Sequence, residues 1–416
     1  MKLTLQVLVL FLFIILSKIS NSQTTWTAQT SGTTQNLYSV YFVSSNTGFA
    51  VGEAGTVRKT TNSGTNWSSV TSGTNSDLYE VFFIDATTGY VCGTGGTIRK
   101  TTNCGVSWTA QTSGVNTTLY EIFFIDYNNG YSAGSGGVIR RTTNGGTTWA
   151  AQTSGTTNDL YEVHFTNFGK GFIVGATGTI RSTTNNGANW NACTSGTTNA
   201  LLDVRFSNVS DAAILYAIGM GGIILKTTNG GANWNAMTSG TTNDLYEIHF
   251  TYDIVGYTVG ENGTILRTTN GGANWVSLVS GTTNTLRSVY FPEPNVGFTV
   301  GENGTIRKTT SGFVSAEELN NSLPKEFSLY QNCPNPFNPA TKIKFDIAAN
   351  GKGQKVDVKL IIYNIQGKEI AVLVNRQLQP GTHEVEWNAN NYPSGVYYYK
   401  LTAGSFSETK KLVLIK

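Results

Sequence analysis

The sequence predicts an all-β fold, because the first three quarters of the chain repeat one unit whose side chains alternate with a period of two. A tryptophan marks each unit, at a spacing of 41 residues with a single spacing of 44. A fixed period of this length indicates a repeat architecture, and the alternation indicates short strands. The tryptophans are Trp26, Trp67, Trp108, Trp149, Trp190, Trp234 and Trp275.

Residues 245–275 contain one complete unit. The segment LYEIHF predicts strand A, with Tyr246, Ile248 and Phe250 on one face and the intervening residues on the other. GYTVG and TILRTT predict strands B and C, joined by a two-residue Glu261 and Asn262 turn between glycines. A fourth strand begins at Trp275. Four short strands in each unit predict one blade of a β-propeller.

The number of A strands predicts seven blades over residues 24–311. The last unit has strands A to C, but Ala316 stands where an eighth tryptophan is expected. Residues 26–30 form an outer strand with no preceding A to C strands, so we expect them to complete the last blade in a 1+3 closure. Closure removes unpaired sheet edges. The A strands begin at Leu37, Leu78, Leu119, Leu160, Leu201, Leu245 and Leu286.

The two ends of the chain have different predicted roles. Lys2 precedes an apolar run at residues 3–16, and small residues follow it, so residues 1–22 are predicted to be a signal peptide cleaved after Ser22. No later segment is long and apolar enough for a membrane helix. Residues 312–325 are expected to be a linker. Residues 326–416 contain alternating strands and turns that predict a small immunoglobulin-like β-sandwich.

Composition fits an exported β protein. Charged residues make up 13% of the chain and the formal net charge is +3, which does not favour nucleic acid binding. No metal or cofactor is expected. Cys92 and Cys193 align with apolar columns of the repeat, which favours packing roles. An oxidising compartment would permit a disulfide bond. Cys92 and Cys104 are the one plausible pair.

The turn between strand C and the fourth strand has a recurring motif. Thr142, Asn144, Gly146, Thr148 and Trp149 resemble the Asp-box of bacterial neuraminidase repeats, with Asn in place of Asp. The resemblance implies a structural turn, because the amide side chain can bind backbone N–H groups and glycine accepts a positive φ. Equivalent positions are Asn62 with Trp67, and Asn270 with Trp275.

The whole unit, with its GTIRKTTN strand and GGxxW turn, resembles the propeller domain of the photosystem II assembly and stability factors of chloroplasts and cyanobacteria. The resemblance covers about residues 24–311. It implies a non-catalytic scaffold of the kind that holds a membrane-protein intermediate. The photosynthetic role itself is not expected to carry over, since repeats of this type occur in many exported bacterial proteins.

A sialidase-like enzyme is the alternative for such a propeller. Its site needs an arginine cluster, a Tyr and Glu pair and an acidic Asp at one point. The arginines of strand C instead occupy one repeating column, so that rotation about the ring is expected to spread them apart. We predict that this column is a basic ring that contacts an acidic partner or a glycan. Its members are Arg58, Arg99, Arg140, Arg181 and Arg307.

Acids and histidines also recur in strand A. We interpret them as groups satisfied between neighbouring blades, because copies in separate blades are not expected to converge on one reactive site. No catalytic residue is therefore predicted. The acidic column comprises Glu80, Glu121, Glu162, Asp203 and Glu247, and the histidines are His164 and His249.

The C-terminal segment contains the motif Asn335, Pro336, Phe337, Asn338 and Pro339, followed by Gly367 and Gly395. With these and further matching residues, it closely resembles the type A sorting domain of the type IX secretion system of Bacteroidetes and related phyla. The resemblance implies passage through the periplasm, export by the type IX machinery, and surface attachment or release, with or without removal of the domain. A plain accessory β domain is the alternative. The matching residues are Asn335, Pro336, Phe337, Asn338, Pro339, Tyr363, Gly367, Lys368, Gly381, His383, Trp387, Ser394, Gly395, Tyr397, Lys410 and Lys411.

Together these patterns predict a secreted or cell-surface, non-catalytic propeller that binds a protein or glycan partner. The alternatives are a sialidase-like carbohydrate-active enzyme or lectin, and a structural surface or adhesion component.

Overall fold

The computed structural model describes residues 25–166, 169–207, 213–311, 326–348, 355–378 and 380–416. The predicted signal peptide and linker lie outside these residues. The chain divides into two compact units, Met1–Phe313 and Val314–Lys416. Within the described residues, no helix has the length and apolar character needed to cross a membrane.

The first unit consists of short strands, and its A strands begin at the seven predicted leucines. In chain order the strands are β1 (Thr27–Gln29), β2 (Leu37–Phe42), β3 (Gly48–Gly52), β4 (Val57–Thr60), β5 (Ser68–Ser69), β6 (Leu78–Phe83), β7 (Gly89–Gly93), β8 (Thr97–Thr101), β9 (Thr109–Gln111), β10 (Leu119–Phe124), β11 (Gly130–Gly134), β12 (Val138–Thr142), β13 (Ala150–Gln152), β14 (Leu160–Phe165), β15 (Gly171–Gly175), β16 (Thr179–Thr183), β17 (Asn191–Cys193), β18 (Leu201–Phe206), β19 (Leu215–Gly219), β20 (Ile224–Thr227), β21 (Asn235–Met237), β22 (Leu245–Tyr252), β23 (Val255–Gly260), β24 (Ile265–Thr268), β25 (Val276–Leu278), β26 (Leu286–Glu293), β27 (Val296–Gly301) and β28 (Ile306–Thr309).

These strands form seven antiparallel four-stranded sheets in the described part of the unit. Sheets 1 to 6 each consist of four consecutive strands. Sheet 1 contains β2 to β5, and the numbering continues along the chain to sheet 6, which contains β22 to β25. Sheet 7 has the order β26, β27, β28, β1, and the N-terminal β1 pairs with β28 so that Ala28 lies opposite Arg307. The predicted pairing of the N-terminal outer strand with the last unit is confirmed.

The first strand of every sheet packs against the first strands of its neighbours. The contacts run through β2, β6, β10, β14, β18, β22 and β26, and β26 also packs on β2. At that last junction the Val40 N–H donates to Ser288 Oγ at 3.0 Å. We call these seven strands the inner strands.

A β-bulge at the second residue of every inner strand changes the predicted faces. In β22 the register shifts between Leu245 and Glu247, which leaves Tyr246 as the bulged residue. Leu245 and Ile248 are therefore both fully buried in one core cluster, although simple alternation placed them on opposite faces. That prediction was wrong, because an extra residue in one strand reverses the direction of the side chains before it.

Apolar side chains fill the space between adjacent sheets. Phe42 of sheet 1 stacks on Phe298 of sheet 7 at 4.3 Å, and Trp67 meets the edge of Phe42 at 6.0 Å. Leu37 and Val300 belong to the same buried cluster. Each sheet therefore shares a core with its neighbour, as expected for sheets that pack face to face.

The turn between strands B and C is a three-residue 3₁₀ turn, and the predicted two-residue turn was wrong. In sheet 6 it spans Glu261–Gly263, with φ of 53° at Asn262 and 68° at Gly263. A Cβ at Gly263 would lie 2.0 Å from the Thr282 carbonyl oxygen. Glycine is therefore needed both for the positive φ and for the close approach of the next connection.

The Asn-containing motif forms a closed turn, as its resemblance to the Asp-box implied. The Thr142 hydroxyl donates to Asn144 Oδ1 at 3.0 Å, and the same oxygen accepts the Thr148 N–H at 2.9 Å. Gly146, with φ of 85°, donates its N–H to Thr142 Oγ1. The turns at Asn62 and Asn270 repeat the side-chain to backbone bond.

In its described residues, the second unit contains two antiparallel sheets that contribute to one apolar core. One sheet has the order β29, β30, β33 and the other has the order β32, β31, β34, β35. Ile343 and Phe345 of the first sheet share a buried cluster with Leu360 and Leu401 of the second. The strands are β29 (Ser328–Leu329), β30 (Ala340–Ile347), β31 (Val356–Tyr363), β32 (Glu369–Leu378), β33 (Gly381–Asn388), β34 (Gly395–Ala403) and β35 (Phe406–Leu414).

The Asn335 to Pro339 motif of the second unit is anchored to the last strand. Asn335 Oδ1 accepts the Val413 N–H at 2.9 Å, and the Phe337 N–H donates to the Val413 carbonyl at 3.0 Å. The Phe337 ring is buried and packs against Trp387. Among the other matching residues, Gly367 has φ of 75° and Gly395 begins β34.

All four cysteines are free thiols in the structure. Cys92 is fully buried in strand β7, in agreement with its predicted packing role. Cys104 lies in the turn after β8 and does not pair with Cys92.

Substitution Trp26→Ala tests whether β1 is an integral part of sheet 7. Trp26 is 4% exposed and meets the edge of Phe291 at 6.0 Å. We expect a loss of about 3–5 kcal/mol in the free energy of unfolding, measured by denaturant titration, because the change leaves a large cavity. Trp67→Ala is the matched variant in an internal sheet and should cost a similar amount. A loss below about 1 kcal/mol for Trp26→Ala alone would contradict the closure by β1.

Candidate functional site

The predicted basic column is spread over five separate places. The Nη2 of Arg58 donates to the Trp67 carbonyl at 2.7 Å, and that of Arg140 donates to the Gly114 carbonyl at 2.6 Å. Arg181 and Arg307 bind the carbonyls of Gly155 and Gly281 in the same way, and Arg99 lies against Gly73. Arg58 thus binds a carbonyl within its own sheet and also lies near Gly32, and the other four arginines lie against glycines of the turns between sheets. The structure does not bring the five together, and their role as partner contacts stays a prediction.

Lysines of the same strands link adjacent sheets. Lys100 Nζ donates to the Gly145 carbonyl of the next sheet at 2.7 Å, and Lys226 Nζ makes the equivalent bond to Gly271. The Tyr90 hydroxyl donates to the Gly145 carbonyl as well, at 2.9 Å. Most of the positive charge of the first unit therefore lies in the third strands of the sheets, where it binds turn carbonyls.

The inner strands gather a second column of the repeat at one point. We call the third residues of these strands the carboxyl layer, and three of its acids contact Arg205. Its Nη2 lies 3.2 Å from Glu162 Oε1 and 3.4 Å from Glu247 Oε1, and its Nε lies 3.2 Å from Asp203 Oδ1. The layer comprises Ser39, Glu80, Glu121, Glu162, Asp203, Glu247 and Ser288.

The expectation that acids in separate units do not converge was therefore wrong. Rotation about an axis separates equivalent residues in proportion to their distance from it. Arg58 and its equivalents lie on the third strand of a sheet and stay apart, whereas Glu162 and Glu247 lie on inner strands that pack against a common neighbour. One repeating column can thus become a compact cluster.

Side chains of the carboxyl layer also join neighbouring sheets. This agrees with the interpretation from the sequence that these acids are satisfied between adjacent repeats. Asp203 Oδ2 accepts the Ile248 N–H at 2.7 Å, and Glu247 Oε2 accepts the Val289 N–H at 2.9 Å. The hydroxyl of Ser39 accepts the Val81 N–H at 3.3 Å. These side chains satisfy backbone donors on the inner edge of the following sheet, which would otherwise be buried without partners.

The fifth residues of the inner strands form the ring layer beside the carboxyl layer. Ring centroids of neighbouring sheets lie 4.9 Å apart for Tyr41 and Tyr290, 5.3 Å for Phe82 and Phe123, and 5.0 Å for Phe123 and His164. Arg205 replaces an aromatic ring in this layer. The layer comprises Tyr41, Phe82, Phe123, His164, Arg205, His249 and Tyr290.

Arg205 is the site residue that sequence reasoning missed. Its column is otherwise aromatic or histidine, so a guanidinium there was a detectable departure from the repeat. The sequence alone does not show that this column lies where the inner strands meet, so the arginine could be recognised as a site residue only from the structure. His164 and His249 depart from the repeat in the same layer and flank Arg205 on the adjacent sheets.

The two layers line a cavity of about 440 Å³, which we call the axial cavity. Glu80, Glu121 and Glu247 contribute carboxyl groups to its wall, and Arg205 is the single arginine among its lining residues. Further lining residues are Val40, Phe206, Ser207, Phe250, Thr251, Tyr252 and Asp253. The cavity therefore offers aromatic faces, carboxyl groups, imidazoles and one guanidinium to a ligand.

Burial dominates the electrostatics of the cavity. It raises the pKa of Glu162 to about 8 and that of Glu247 to about 7, with Arg205 opposing the rise and Asp203 adding to it. Burial and neighbouring carboxylates raise the pKa values of Glu80 and Glu121 well above the usual range. Burial therefore favours the protonated forms of these carboxyl groups.

The two imidazoles of the ring layer are neutral. Burial and then the nearby Arg205 guanidinium together lower the pKa of His249 to about 3. The pKa of His164 is lowered well below its usual range by burial first, then by Arg205 and His249. His164 Nδ1 has no hydrogen-bond partner among the described residues.

The arrangement lacks the parts of a sialidase-like site or a metal site in the described residues. A sialidase-like site needs an arginine cluster, and the arginines of the strand C column remain at separate turns. No group of three or more His, Cys, Asp or Glu side chains in the described chain has a geometry suited to a metal ion.

The raised carboxyl pKa values predict that the stability of the first unit falls as pH rises. Between pH 6.5 and 8 the folded form binds more protons than the unfolded form at Glu162 and Glu247, so each increase in pH favours unfolding. The two histidines, with lowered pKa values, oppose this fall, but their effect is nearly lost about one pH unit above the unfolded imidazole pKa. We expect the unfolding midpoint, followed by tryptophan fluorescence, to fall by roughly 2–6 °C across this window.

Glu162→Gln is the variant that checks this assignment. The amide keeps a hydrogen-bonding group of the same shape but does not titrate, so the fall in the midpoint should become smaller. Asp126→Asn, at an exposed loop carboxylate, is the control and should leave the fall unchanged. A midpoint that rises between pH 6.5 and 8 in the unsubstituted protein would contradict the raised pKa values.

Two family matches cover separate parts of the chain. Residues 59–152 and 151–241 match the family described as "Photosynthesis system II assembly factor YCF48". Residues 332–416 match the family described as "Secretion system C-terminal sorting domain". No curated protein matches the chain.

Three solved structures similar to the chain are the following. "YCF48 bound to D1 peptide" is 19% identical with a TM-score of 0.60, over 69% of this chain and 95% of that one. "YCF48 from Cyanidioschyzon merolae" is 18% identical with a TM-score of 0.59, over 68% and 98%. "Crystal structure of WD40 beta propeller domain of Doa1" is 12% identical with a TM-score of 0.59, over 70% and 97%. The first unit is thus a β-propeller with repeats similar to those of YCF48, and the C-terminal segment is similar to secretion-system sorting domains.

Proposed function

We propose that the seven sheets are the blades of a closed seven-bladed propeller over residues 24–311, with a 1+3 closure by the N-terminal strand. The pairing of β1 with β28 and the contact between β26 and β2 support it. We further propose that residues 312–325 are a linker and that residues 326–416 form an immunoglobulin-like sorting domain. The shared core of its two sheets supports a sandwich.

The sorting-domain match indicates export through the type IX secretion system. We infer that residues 1–22 direct the chain to the periplasm and are removed there. The exported propeller is then attached to the cell surface or released. The type IX machinery is therefore a partner of the C-terminal domain.

We propose that the exported propeller is a non-catalytic binding protein and that its partner enters the axial cavity. The observation that carries this proposal is the loss of repeat symmetry in the ring layer. Phe82 and Phe123 continue the aromatic column, whereas His164, Arg205 and His249 interrupt it on three consecutive sheets. Arg205 has structural partners in the carboxyl layer, but packing alone does not account for the two histidines beside it. A ligand site, in contrast, requires groups placed for one molecule.

A peptide segment of a protein is the ligand that we favour. The cavity combines flat aromatic faces with carboxyl groups and a guanidinium, which suit the mixed side chains and backbone amides of a peptide. The structure titled "YCF48 bound to D1 peptide" supports peptide binding by a propeller of similar fold. A glycan is the alternative ligand, since aromatic rings and carboxyl groups also suit sugars.

The strand C arginines remain proposed as outer contacts for acidic groups of the partner. Arg58, Arg140 and Arg181 each use Nη2 to hold a turn carbonyl, and all three side chains remain partly exposed. A guanidinium has five donors, so the remaining ones can bind a carboxylate. They lie too far apart to form one pocket and would act on an extended surface.

One observation supports a glycoside hydrolase as the second candidate. Glu162 and Glu247 both contact Arg205, and their pKa values of about 8 and 7 are suited to proton transfer near neutral pH. We rank this function lower because Glu247 also holds the Val289 N–H of the adjacent sheet. Hydrolysis of sialosides or xyloglucan fragments that is lost in both Glu162→Gln and Glu247→Gln would support it.

Selection experiments test the proposed binding. The purified full chain would be used to select from a displayed random peptide library and would be applied to a glycan array. We expect enrichment of a peptide family whose Kd weakens at least about tenfold in His164→Phe/His249→Phe. Phenylalanine fits at these positions, because Phe82 and Phe123 occupy the same column. Val106→Ala, at a side chain that is 75% exposed, is the control.

Two outcomes would contradict the proposal. Binding of glycans without any enriched peptide would identify a lectin. Enriched peptides that bind the histidine double variant and the unsubstituted protein equally would place the ligand outside the axial cavity.

A further inference from the structure

A second surface lies at the bulged residues of the inner strands. Every inner strand has a register shift at its second residue, and a bulge directs that side chain away from the regular ladder. Five of the seven bulged residues are tyrosines, which we call the tyrosine crown. They are Tyr38, Tyr79, Tyr120, Tyr161 and Tyr246, and Leu202 and Arg287 hold the remaining two positions.

Four crown tyrosines form a continuous arc across four sheets. Tyr38 and Tyr79 stack with centroids 5.1 Å apart, and Tyr79 meets Tyr120 edge to face at 5.5 Å. Tyr120 and Tyr161 are also edge to face, at 5.3 Å. All four side chains are partly exposed. None of them lines the axial cavity, whose wall is built from residues later in the inner strands.

Carboxylates surround the crown in fixed positions. Asp77 Oδ1 accepts the Ala54 N–H at 2.8 Å, and Asp159 Oδ1 accepts the Gly136 N–H at the same distance. Glu53 Oε2 accepts the Asn36 N–H, two residues before Tyr38. Burial and then the charges of Glu53 and Asp77 raise the pKa of Tyr38. Two carboxylates and one cation, Arg287, therefore act on Tyr38.

The chain itself shows how this surface takes up a cation. Arg287, in the crown position of sheet 7, places its guanidinium 4.2 Å from the ring centroid of Tyr246. Its Nη2 also donates to Glu302 Oε1 at 3.0 Å. A ring face and a turn carboxylate thus hold one guanidinium together. Tyr38 with Glu53, and Tyr79 with Asp77, offer the same pair of groups on the arc.

We propose that the arc from Tyr38 to Tyr161 binds arginine side chains of a basic peptide segment in a partner protein. The rings supply cation–π contacts and the turn carboxylates supply the opposite charge. The overall charge of the chain does not attract a basic peptide, because the formal net charge is +3. The proposed binding therefore depends on the local carboxylates and rings. The proposal concerns a surface different from the axial cavity and does not depend on it.

Fluorescence polarisation with a labelled Arg-Gly-Arg-Gly-Arg peptide and the purified full chain tests this proposal. We expect saturable binding that weakens with added salt, because the carboxylates contribute to it. The same peptide with citrulline in place of arginine has a similar shape but no charge. It should bind at least about tenfold more weakly, since both the cation–π contact and the ion pair are lost.

Tyr79→Leu/Tyr120→Leu is the variant that tests the rings. Leu202 already occupies the same position in sheet 5, so leucine is compatible with the fold. We expect the Kd for the arginine peptide to increase about tenfold. Tyr127→Leu changes a tyrosine that is 62% exposed outside the crown and should leave the Kd unchanged. Glu53→Gln keeps the acceptor for the Asn36 N–H but removes one negative charge. It should weaken binding of the arginine peptide while all the crown tyrosines remain in place.

The results separate this proposal from binding in the axial cavity. His164→Phe/His249→Phe should not change the Kd for the arginine peptide. Equal binding of the arginine and citrulline peptides would overturn the proposal. So would unchanged binding by the leucine double variant, or a loss of binding that occurs only in the histidine double variant.

Discussion

The fold of the first unit depends on satisfying the inner edge of every sheet. An edge strand presents backbone N–H groups that have no partner within their own sheet. Here a side chain from the preceding inner strand accepts one of them, as Asp203 does for Ile248 and Ser288 does for Val40. The second of these bonds joins the last inner strand to the first. Oxygen-bearing side chains at the third position of the inner strands are therefore a structural requirement, and the carboxyl layer follows from it.

The same requirement creates the conditions for a binding site. Carboxyl groups that hold adjacent sheets together are brought close to one another, and burial favours their protonated forms. A cation placed among them offsets the charge that remains, and Arg205 is that cation. Because one guanidinium serves several sheets, the seven positions of the ring layer are no longer equivalent. The hydrogen bonds that join the repeated sheets thus produce a cavity whose polar and aromatic groups do not repeat.

Much of the fold could be predicted from the sequence, because strand length and turn residues are local properties. The starts of the inner strands at Leu37 and its equivalents, and the pairing of β1 with β28, followed from counting. The bulge at Tyr246 could not be predicted from alternation, since it depends on pairing with a second strand. The cluster around Arg205 was missed for a different reason. Sequence columns contain no information on distance from the axis, and that distance decides whether Glu162 and Glu247 meet.

The most direct test of this account is a crystal structure of the full chain bound to a peptide obtained by selection. The account predicts peptide density in the axial cavity, with contacts to Arg205 and to the aromatic rings of Tyr41 or Tyr290. Density confined to the strand C arginines, with solvent alone in the axial cavity, would contradict it.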